Sequence, residues 1–239
     1  MDKEELINLC KVNDLIENYS ENLNALEKLS SLKFDIQVDD LDHFTKCFKS
    51  FIGQKRGQYR KLIALITKDN LVDNKEHANL LEMLRNNLSK EIIELCERVI
   101  EICKNIMTNN KITNKKINLY FYKTIADHYR YIHEISEDEE IKNKAKEEYE
   151  IALKVAQEGK FLATDLIYLT FYLNYSVFLH DTMREREEAI QVSRNCLHGA
   201  LKNTEEIVDN NQKDIILICQ MIKDNISLWK NEKNDAVKI

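Results

Sequence analysis

Three cations follow one stripe of a predicted helix in the segment KSFIGQKRGQYRK. Lys49, Arg56 and Arg60 occupy positions i, i+7 and i+11. Because an α-helix turns by about 100° per residue, both arginines point within about 20° of the direction of Lys49. Like charges placed so closely repel one another, which predicts a bound anion or an acidic neighbour. The segment alone fits either a solvated basic face or an anion-binding site.

A second candidate lies in the aromatic segment NLYFYKTIADHYRYIHE. It contains Lys123, and Arg130 stands between Tyr129 and Tyr131, with Glu134 one helical turn further on. A guanidinium group can donate two parallel charge-assisted bonds to a phosphate, and a tyrosine hydroxyl adds another donor. Glu134 is well placed to orient the Arg130 guanidinium. Arg130 is therefore either a structural ion-pair residue or part of a prepared phosphate receptor.

Two later segments combine amides with apolar residues at helical spacing. An asparagine amide can pair with both the N–H and the C=O of an extended peptide, and apolar neighbours would accept its side chains. Taken alone, each stripe is more typical of ordinary core packing. The first stripe comprises Leu173, Asn174, Val177 and Asp181; the second comprises Leu217, Ile218, Met221, Asn225 and Trp229.

The elements that carry these residues are predicted to be helices throughout. The chain has 239 residues with four glycines and no proline, so the turn chemistry of β-hairpins is almost missing. Apolar residues recur with helical period between short polar connectors. The predicted helices are 3–18, 20–30 (with Ser20 as a cap), 41–68, 75–107, 117–135, 137–159, 165–180 (capped by Asp165), 185–202 and 212–230.

The predicted fold class is all-α, with nine antiparallel helices stacked in pairs. The order is related to that of a helical solenoid, although no clean repeat length is present. No composition shift requires a domain boundary. We expect one domain over residues 1–232 and a short flexible tail over 233–239.

Composition and motifs restrict the class of function. A net charge of −6 argues against nucleic-acid binding, and the N-terminus MDKEELINLC lacks a secretory signal. No apolar run is long enough to cross a membrane, so a cytoplasmic location is expected, with nuclear access open. The six cysteines contain no CxxC pair and are expected to be buried thiols. Without a phosphate-binding loop or a metal motif, we expect no catalysis, cofactor or metal.

Four segments together resemble the 14-3-3 family. KSFIGQKRGQYRK resembles its third-helix signature, and DHYRYIHE resembles its Asp-Tyr-Tyr-Arg-Tyr element. LNYSVFLHD and KDIILICQMIKDNISLW resemble two later signatures of the same family. The four occur in the family's order, and the likeness extends over residues 2–230.

The resemblance implies a nine-helix fold with an amphipathic groove that binds phosphoserine or phosphothreonine segments of partner proteins. The implied phosphate ligands are Lys49, Arg56, Arg130 and Tyr131. The other implied peptide-binding residues are Lys123, Leu173, Asn174, Val177, Asp181, Leu217, Ile218, Met221, Asn225 and Trp229. The implied role is that of a non-enzymatic adaptor without a cofactor.

The resemblance also implies a homodimer through helices 1–4. Where the family has arginine, tyrosine and lysine in that interface, this chain has Asn18, Leu84 and Asn87, while Glu21 and Glu91 remain acidic. The usual ion pairs between subunits would therefore lack their cations, which places dimerisation in question.

One alternative stays open at the level of sequence. A phosphate-independent helical-repeat scaffold of the tetratricopeptide type would also be all-α and would bind partners through a concave surface. The two hypotheses differ in whether Lys49, Arg56 and Arg130 act together on a phosphate. Lys46, where the family usually has valine, and the short tail are further departures.

Overall fold

A computed structural model describes residues 1–69, 75–202 and 212–235. Within these ranges the chain forms nine α-helices and one π-helical turn, and no β-strand, which confirms the all-α class. The elements are α1 (Lys3–Leu15), α2 (Tyr19–Ser30), α3 (Asp40–Asp69), α4 (Lys75–Asn109), α5 (Lys115–Ser136), α6 (Glu139–Glu158), α7 (Leu166–Val177), the π-helical turn (Phe178–Thr182), α8 (Arg186–Lys202) and α9 (Gln212–Asp235).

Two predicted N-caps can be compared with the structure. Asp165 caps α7 as predicted, because its carboxylate accepts a hydrogen bond of 3.1 Å from the backbone N–H of Ile167. The predicted cap of α2 was wrong: Asn18 occupies the N-cap position and Ser20 lies inside the helix. At the other end of the chain, α9 continues to Asp235 and so includes the first three residues of the predicted tail, while residues 236–239 lie outside the described part.

Three chain reversals use a left-handed residue that is not glycine. Glu17 follows α1 with φ 56°, Glu137 follows α5 with φ 54°, and Arg184 follows the π-helical turn with φ 62°. A side chain in this region costs roughly 1–2 kcal/mol, because its Cβ crowds the next carbonyl. Because the sequence has few glycines, these three positions carry backbone strain that glycine would not have.

The chain divides into two compact units. The first comprises residues 1–112 with 131–141, and the second comprises residues 113–130 with 142–239. In the first unit, α1 packs on α2 and α3, and α4 packs on α2 and α3. Its core is made of fully buried apolar side chains, among them Leu6, Leu23, Leu26, Leu29, Phe44, Ile92, Ile102 and Ile106.

In the second unit, α7, α8 and α9 pack against one another. One face of α9 enters this core at positions i, i+3, i+7 and i+11, namely Ile215, Ile218, Ile222 and Ile226. The largest members of the core include Tyr149, Phe171, Phe178 and Trp229. In neither unit does the described part contain a helix long and apolar enough to span a lipid bilayer.

Candidate functional site

In the first unit, the basic stripe of α3 meets an acidic side chain of α5. Arg56 Nη2 pairs with Glu134 Oε2, and Arg60 Nη2 lies 3.1 Å from Glu134 Oε1. Lys49 is exposed on the same helix. The acidic neighbour expected from charge repulsion is therefore present, and it stands between two cations rather than beside one.

An aromatic ring also restrains the plane of the Arg56 guanidinium. Its guanidinium lies over the Tyr131 ring, with 3.6 Å between Cζ and the ring centroid. Burial by itself would raise the pKa of Glu134, but Arg56 and Arg60 outweigh burial and hold that pKa below its ordinary value. Glu134 consequently stays ionised at neutral pH and fixes the edge of the Arg56 fork while Tyr131 supports its plane.

In the second unit, a buried carboxylate collects the other predicted ligands. Asp127 Oδ2 accepts from Lys123 Nζ at 2.9 Å and from Asn174 Nδ2 at 2.7 Å. Its Oδ1 accepts from the Tyr149 hydroxyl at 2.5 Å and lies 3.3 Å from Arg130 Nη2. Arg130 Nε in turn donates to the Tyr149 hydroxyl at 3.1 Å. Three predicted site residues, Lys123, Arg130 and Asn174, thus share one acidic partner.

The charge of Asp127 is stabilised by these donors. Burial would raise the pKa of Asp127, but Lys123 and Arg130, together with the Tyr149 hydrogen bond, hold it well below the ordinary value. The three charged groups Lys123, Asp127 and Arg130 sum to one positive charge. The network therefore orients two cations without cancelling them both.

Sequence reasoning missed Asp127 and Tyr149 as organising residues. Asp127 follows Lys123 by four positions and precedes Arg130 by three, which is the spacing of helical ion pairs. Its pairing with both cations could therefore have been predicted from the sequence. Tyr149 lies on α6, and no feature of its neighbours in sequence marks it.

The predicted groove residues divide into exposed and buried sets. On α9, the side chains of Leu217 (60% exposed) and Met221 (47%) face solvent, and Asn225 is half-buried. On α7, Leu173 is buried and Val177 is half-buried. Three members, Leu173, Ile218 and Trp229, belong to the core of the second unit.

Asp181 lies in the π-helical turn that follows α7. The backbone N–H of Met183 donates to the carbonyl of Phe178, five residues back, at 3.0 Å, and this bond defines the wider turn.

Asp181 contacts α9 through a histidine. Its Oδ1 lies 2.6 Å from His180 Nδ1, while His180 Nε2 lies 2.9 Å from Glu232. The His180 ring stacks on Trp229 at 4.6 Å, so Asp181 is tied to the C-terminal end of α9 through an imidazole.

Related sequences are found among known proteins. The family model described as 14-3-3 protein matches residues 9–230. The chain is 25% identical to 14-3-3 protein 2 of Entamoeba histolytica, over 98% of each chain. It is 26% identical to the 14-3-3-like protein GF14 epsilon of Arabidopsis thaliana, over 98% of this chain and 92% of the relative. It is likewise 26% identical to 14-3-3 protein I of Plasmodium falciparum, over 93% and 87%. A match over nearly the whole chain, joined to the nine α-helices of the described residues and to the basic and aromatic residues on α3 and α5, shows that this chain belongs to the 14-3-3 family.

Proposed function

We propose that this protein is an adaptor that binds phosphoserine or phosphothreonine segments of partner proteins, with Lys49, Arg56, Arg130 and Tyr131 as its phosphate ligands. Members of the 14-3-3 family are protein-binding adaptors that generally act on phosphorylated partners, which supports the proposal at the level of the family. The observation that carries it for this chain is the pair of ordered cation networks, one in each unit.

The first network supports phosphate binding by pre-organisation. Arg56 is restrained by the Tyr131 ring and by Glu134 before any ligand arrives, so little conformational entropy remains to be lost on binding. Arg56 uses its Nη2 to pair with Glu134, and its guanidinium has further N–H donors suited to oxyanions. A phosphoserine side chain brings about −1.5 to −2 charges and three acceptor oxygens.

The second network supports the same role for Arg130. Asp127 neutralises only one of the two cations that it touches, and Tyr149 fixes the Nε edge of the Arg130 fork. The same carboxylate orients the Asn174 amide. Arg130 and Asn174 are therefore positioned by one shared acid, as a ligand for phosphate and a ligand for peptide backbone would need to be.

The exposed apolar residues of α9 supply the remaining chemistry of a peptide site. Leu217 and Met221 lie one turn apart on the solvent face, and a peptide that covered them would remove apolar surface from water. Ile218 and Trp229 would act from beneath, by holding α9 in place. We therefore propose direct peptide contacts for Leu217 and Met221 and a supporting role for the two core residues.

The test is a comparison of two labelled peptides that differ only in phosphorylation. Fluorescence anisotropy with an Arg-x-x-pSer-x-Pro peptide should show saturable binding, and the unphosphorylated twin should bind at least tenfold more weakly. Arg56→Ala should also weaken binding at least tenfold, because a charge-assisted bond contributes about 1.5–3 kcal/mol. Arg60 remains to pair with Glu134 in this variant, so folding should be preserved.

Arg85→Ala is the matched control. Arg85 lies on α4 and contacts Glu82 and Asn86 rather than the proposed ligands. Its removal should leave phosphopeptide affinity within a factor of two. Equal affinity of the two peptides for the wild-type protein would reject the proposal and favour the phosphate-independent scaffold.

We further propose that this chain forms the homodimer that is general in its family. Three apolar residues at i, i+3 and i+4 project from the end of α1: Val12, Leu15 and Ile16, with Leu15 84% exposed. Leu80, Met83 and Leu84 repeat that spacing on α4 and are also exposed. Apolar contact through these two faces would replace the ion pairs that Asn18 and Asn87 cannot form.

A further inference from the structure

The second unit contains a cavity apart from the proposed phosphopeptide residues. Its volume is about 280 Å³, and its walls come from α6, α7, α8 and the connection between α6 and α7. Tyr168, Tyr172 and Tyr175 form its aromatic wall, and Glu188 lies on the α8 side. None of these four residues takes part in the two cation networks described above.

The aromatic wall is held rigidly. The Tyr168 and Tyr172 rings are 4.7 Å apart and inclined at 62°, so they form a corner. Phe161 stacks on Tyr168 at 5.7 Å, and Phe171 stacks on Tyr175 at 5.6 Å. Each ring is therefore fixed by a neighbour, and a ligand would meet preformed π faces.

The electrostatic surroundings of the cavity are negative. Glu188 is the one charged side chain among the described residues that line it. Burial, followed by the carboxylates of Glu188, Glu185 and Glu150, raises the pKa of Tyr175 to about 12. A phosphate or carboxylate group would be repelled here, so this cavity does not suit a second phosphopeptide.

We propose that the cavity binds an alkylated ammonium group, with Tyr168 and Tyr172 as the cation-binding faces and Glu188 as the counter-charge. Ring faces carry negative potential, and their attraction for a cation is greatest when the cation loses little hydration on entry, as a trimethylammonium group does. The volume lies just below the usual range for ligand pockets, which favours a headgroup with a short chain over a larger molecule.

The same chemistry can come from a free small molecule or from a trimethyllysine side chain of a peptide. Choline and N-acetyl-trimethyllysine methylamide are the two probes, and 3,3-dimethylbutanol is the neutral molecule with the shape of choline. Titration of the full-length protein would be followed by amide chemical shifts, with Asn195 and Gly199 as reporters on α8. At least one cationic probe should bind about tenfold or more tightly than the neutral molecule, and the stronger of the two probes identifies the source.

Two substitutions locate the binding. Glu188→Gln removes the counter-charge with little change of shape and should weaken binding about fivefold or more. Glu187→Gln makes the same change one residue earlier on α8, at a position that does not line the cavity, and should alter binding less than twofold. Tyr172→Leu should weaken binding about fivefold or more, while Tyr172→Phe, which keeps the ring face, should retain most of it.

Three results would overturn the proposal. They are binding of both cationic probes no tighter than that of 3,3-dimethylbutanol, equal effects of the Glu188 and Glu187 substitutions, and an absence of shifts with both cations. Circular dichroism and phosphopeptide affinity of each variant check that the fold is preserved. Because the cavity shares no residue with the proposed phosphate ligands, loss of ammonium binding leaves the proposed adaptor function standing, and the converse also holds.

Discussion

The Arg56 guanidinium rests on the face of the Tyr131 ring, 3.6 Å from Cζ to the ring centroid. Tyr131 and Glu134 are three residues apart on α5, so one turn of that helix supplies both the surface beneath the guanidinium and the carboxylate at its edge. A residue that would otherwise have many rotamers is thereby limited to one orientation. This pairing separates two roles of Tyr131, as a support for Arg56 and as a hydroxyl donor.

Substitutions at Tyr131 can distinguish these roles. Tyr131→Phe keeps the ring under Arg56 and removes the hydroxyl, whereas Tyr131→Leu removes both. Cation–π contacts contribute about 0.5–2 kcal/mol, so the leucine variant should bind the phosphopeptide about two- to thirtyfold more weakly than the phenylalanine variant. Anisotropy titration measures both constants. Equal affinities of the two variants would show that stacking contributes nothing.

Removal of the buried charge at Asp127 should strongly destabilise the second unit. Asp127→Asn leaves Lys123 and Arg130 without their shared anion in a buried site, and breaking a buried pair in this way costs about 3–5 kcal/mol. Tyr149→Phe removes a hydroxyl and should cost less, about 1–3 kcal/mol. Urea unfolding followed by circular dichroism gives both values, and a smaller loss for Asp127→Asn than for Tyr149→Phe would contradict the network.

The same carboxylate predicts how stability depends on pH. The pKa of Asp127 is lowered in the folded protein, so its stabilisation is complete well above the ordinary value of 3.8 and is lost as the pH falls below that value. The free energy of unfolding should therefore decline from about pH 5 towards pH 3 more steeply in the wild-type protein than in Asp127→Asn. Parallel curves for the two proteins would show that Asp127 titrates normally.

Glycine at the end of α5 should stabilise the fold. Glu137 has φ 54°, and relief of this left-handed strain should stabilise the fold by roughly 1–2 kcal/mol. The greater backbone entropy of glycine in the unfolded chain offsets about 0.5–1 kcal/mol of that gain. Glu137→Gly should therefore raise the free energy of unfolding by about 0.5–1 kcal/mol. Glu137→Ala keeps the Cβ and is the control; it should bring no gain, and an equal gain from alanine would point to the lost charge instead of the backbone.

A charge at the exposed end of α1 should disrupt the proposed homodimer. Leu15 is 84% exposed, so Leu15→Glu should leave the folded subunit intact while placing a carboxylate in the apolar interface. Sedimentation equilibrium should show dimers of the wild-type protein and monomers of the variant at micromolar concentration.

Leu162→Glu makes the same change at a site of similar character. Leu162 is exposed between α6 and α7, remote in sequence from helices 1–4, and its substitution should not alter the subunit count. A wild-type protein that sediments as a monomer at these concentrations would reject the proposed interface.

The nine helices could be predicted because their pattern is local. Apolar periodicity, polar connectors and the Asp165 cap act over a few residues, and the observed helices α3 to α5 begin and end within two residues of the predicted bounds. The cap of α2 was misplaced, because Asn18 and Ser20 are both acceptable cap residues and the choice depends on how α1 ends. The π-helical turn had no sequence signal that periodicity could detect.

Spacing was a weaker guide to which residues face solvent. Leu217, Met221, Asn225 and Trp229 recur every four residues, but each such step drifts by about 40° around a helix of 3.6 residues per turn. After three steps the drift is about 120°, which carries Trp229 from the exposed face of Leu217 into the core. A regular spacing therefore did not guarantee a common face.

By itself the sequence determined the helices, the cation stripe on α3, and the placement of Lys123, Asp127 and Arg130 along one side of α5, because all of these follow from helical geometry between near neighbours. The tertiary structure alone decided that Glu134 pairs with Arg56 and Arg60, and that Tyr149 and Asn174 reach Asp127 from α6 and α7. These partners lie far apart in the chain, and their meeting depends on how apolar faces pack, which no local spacing specifies.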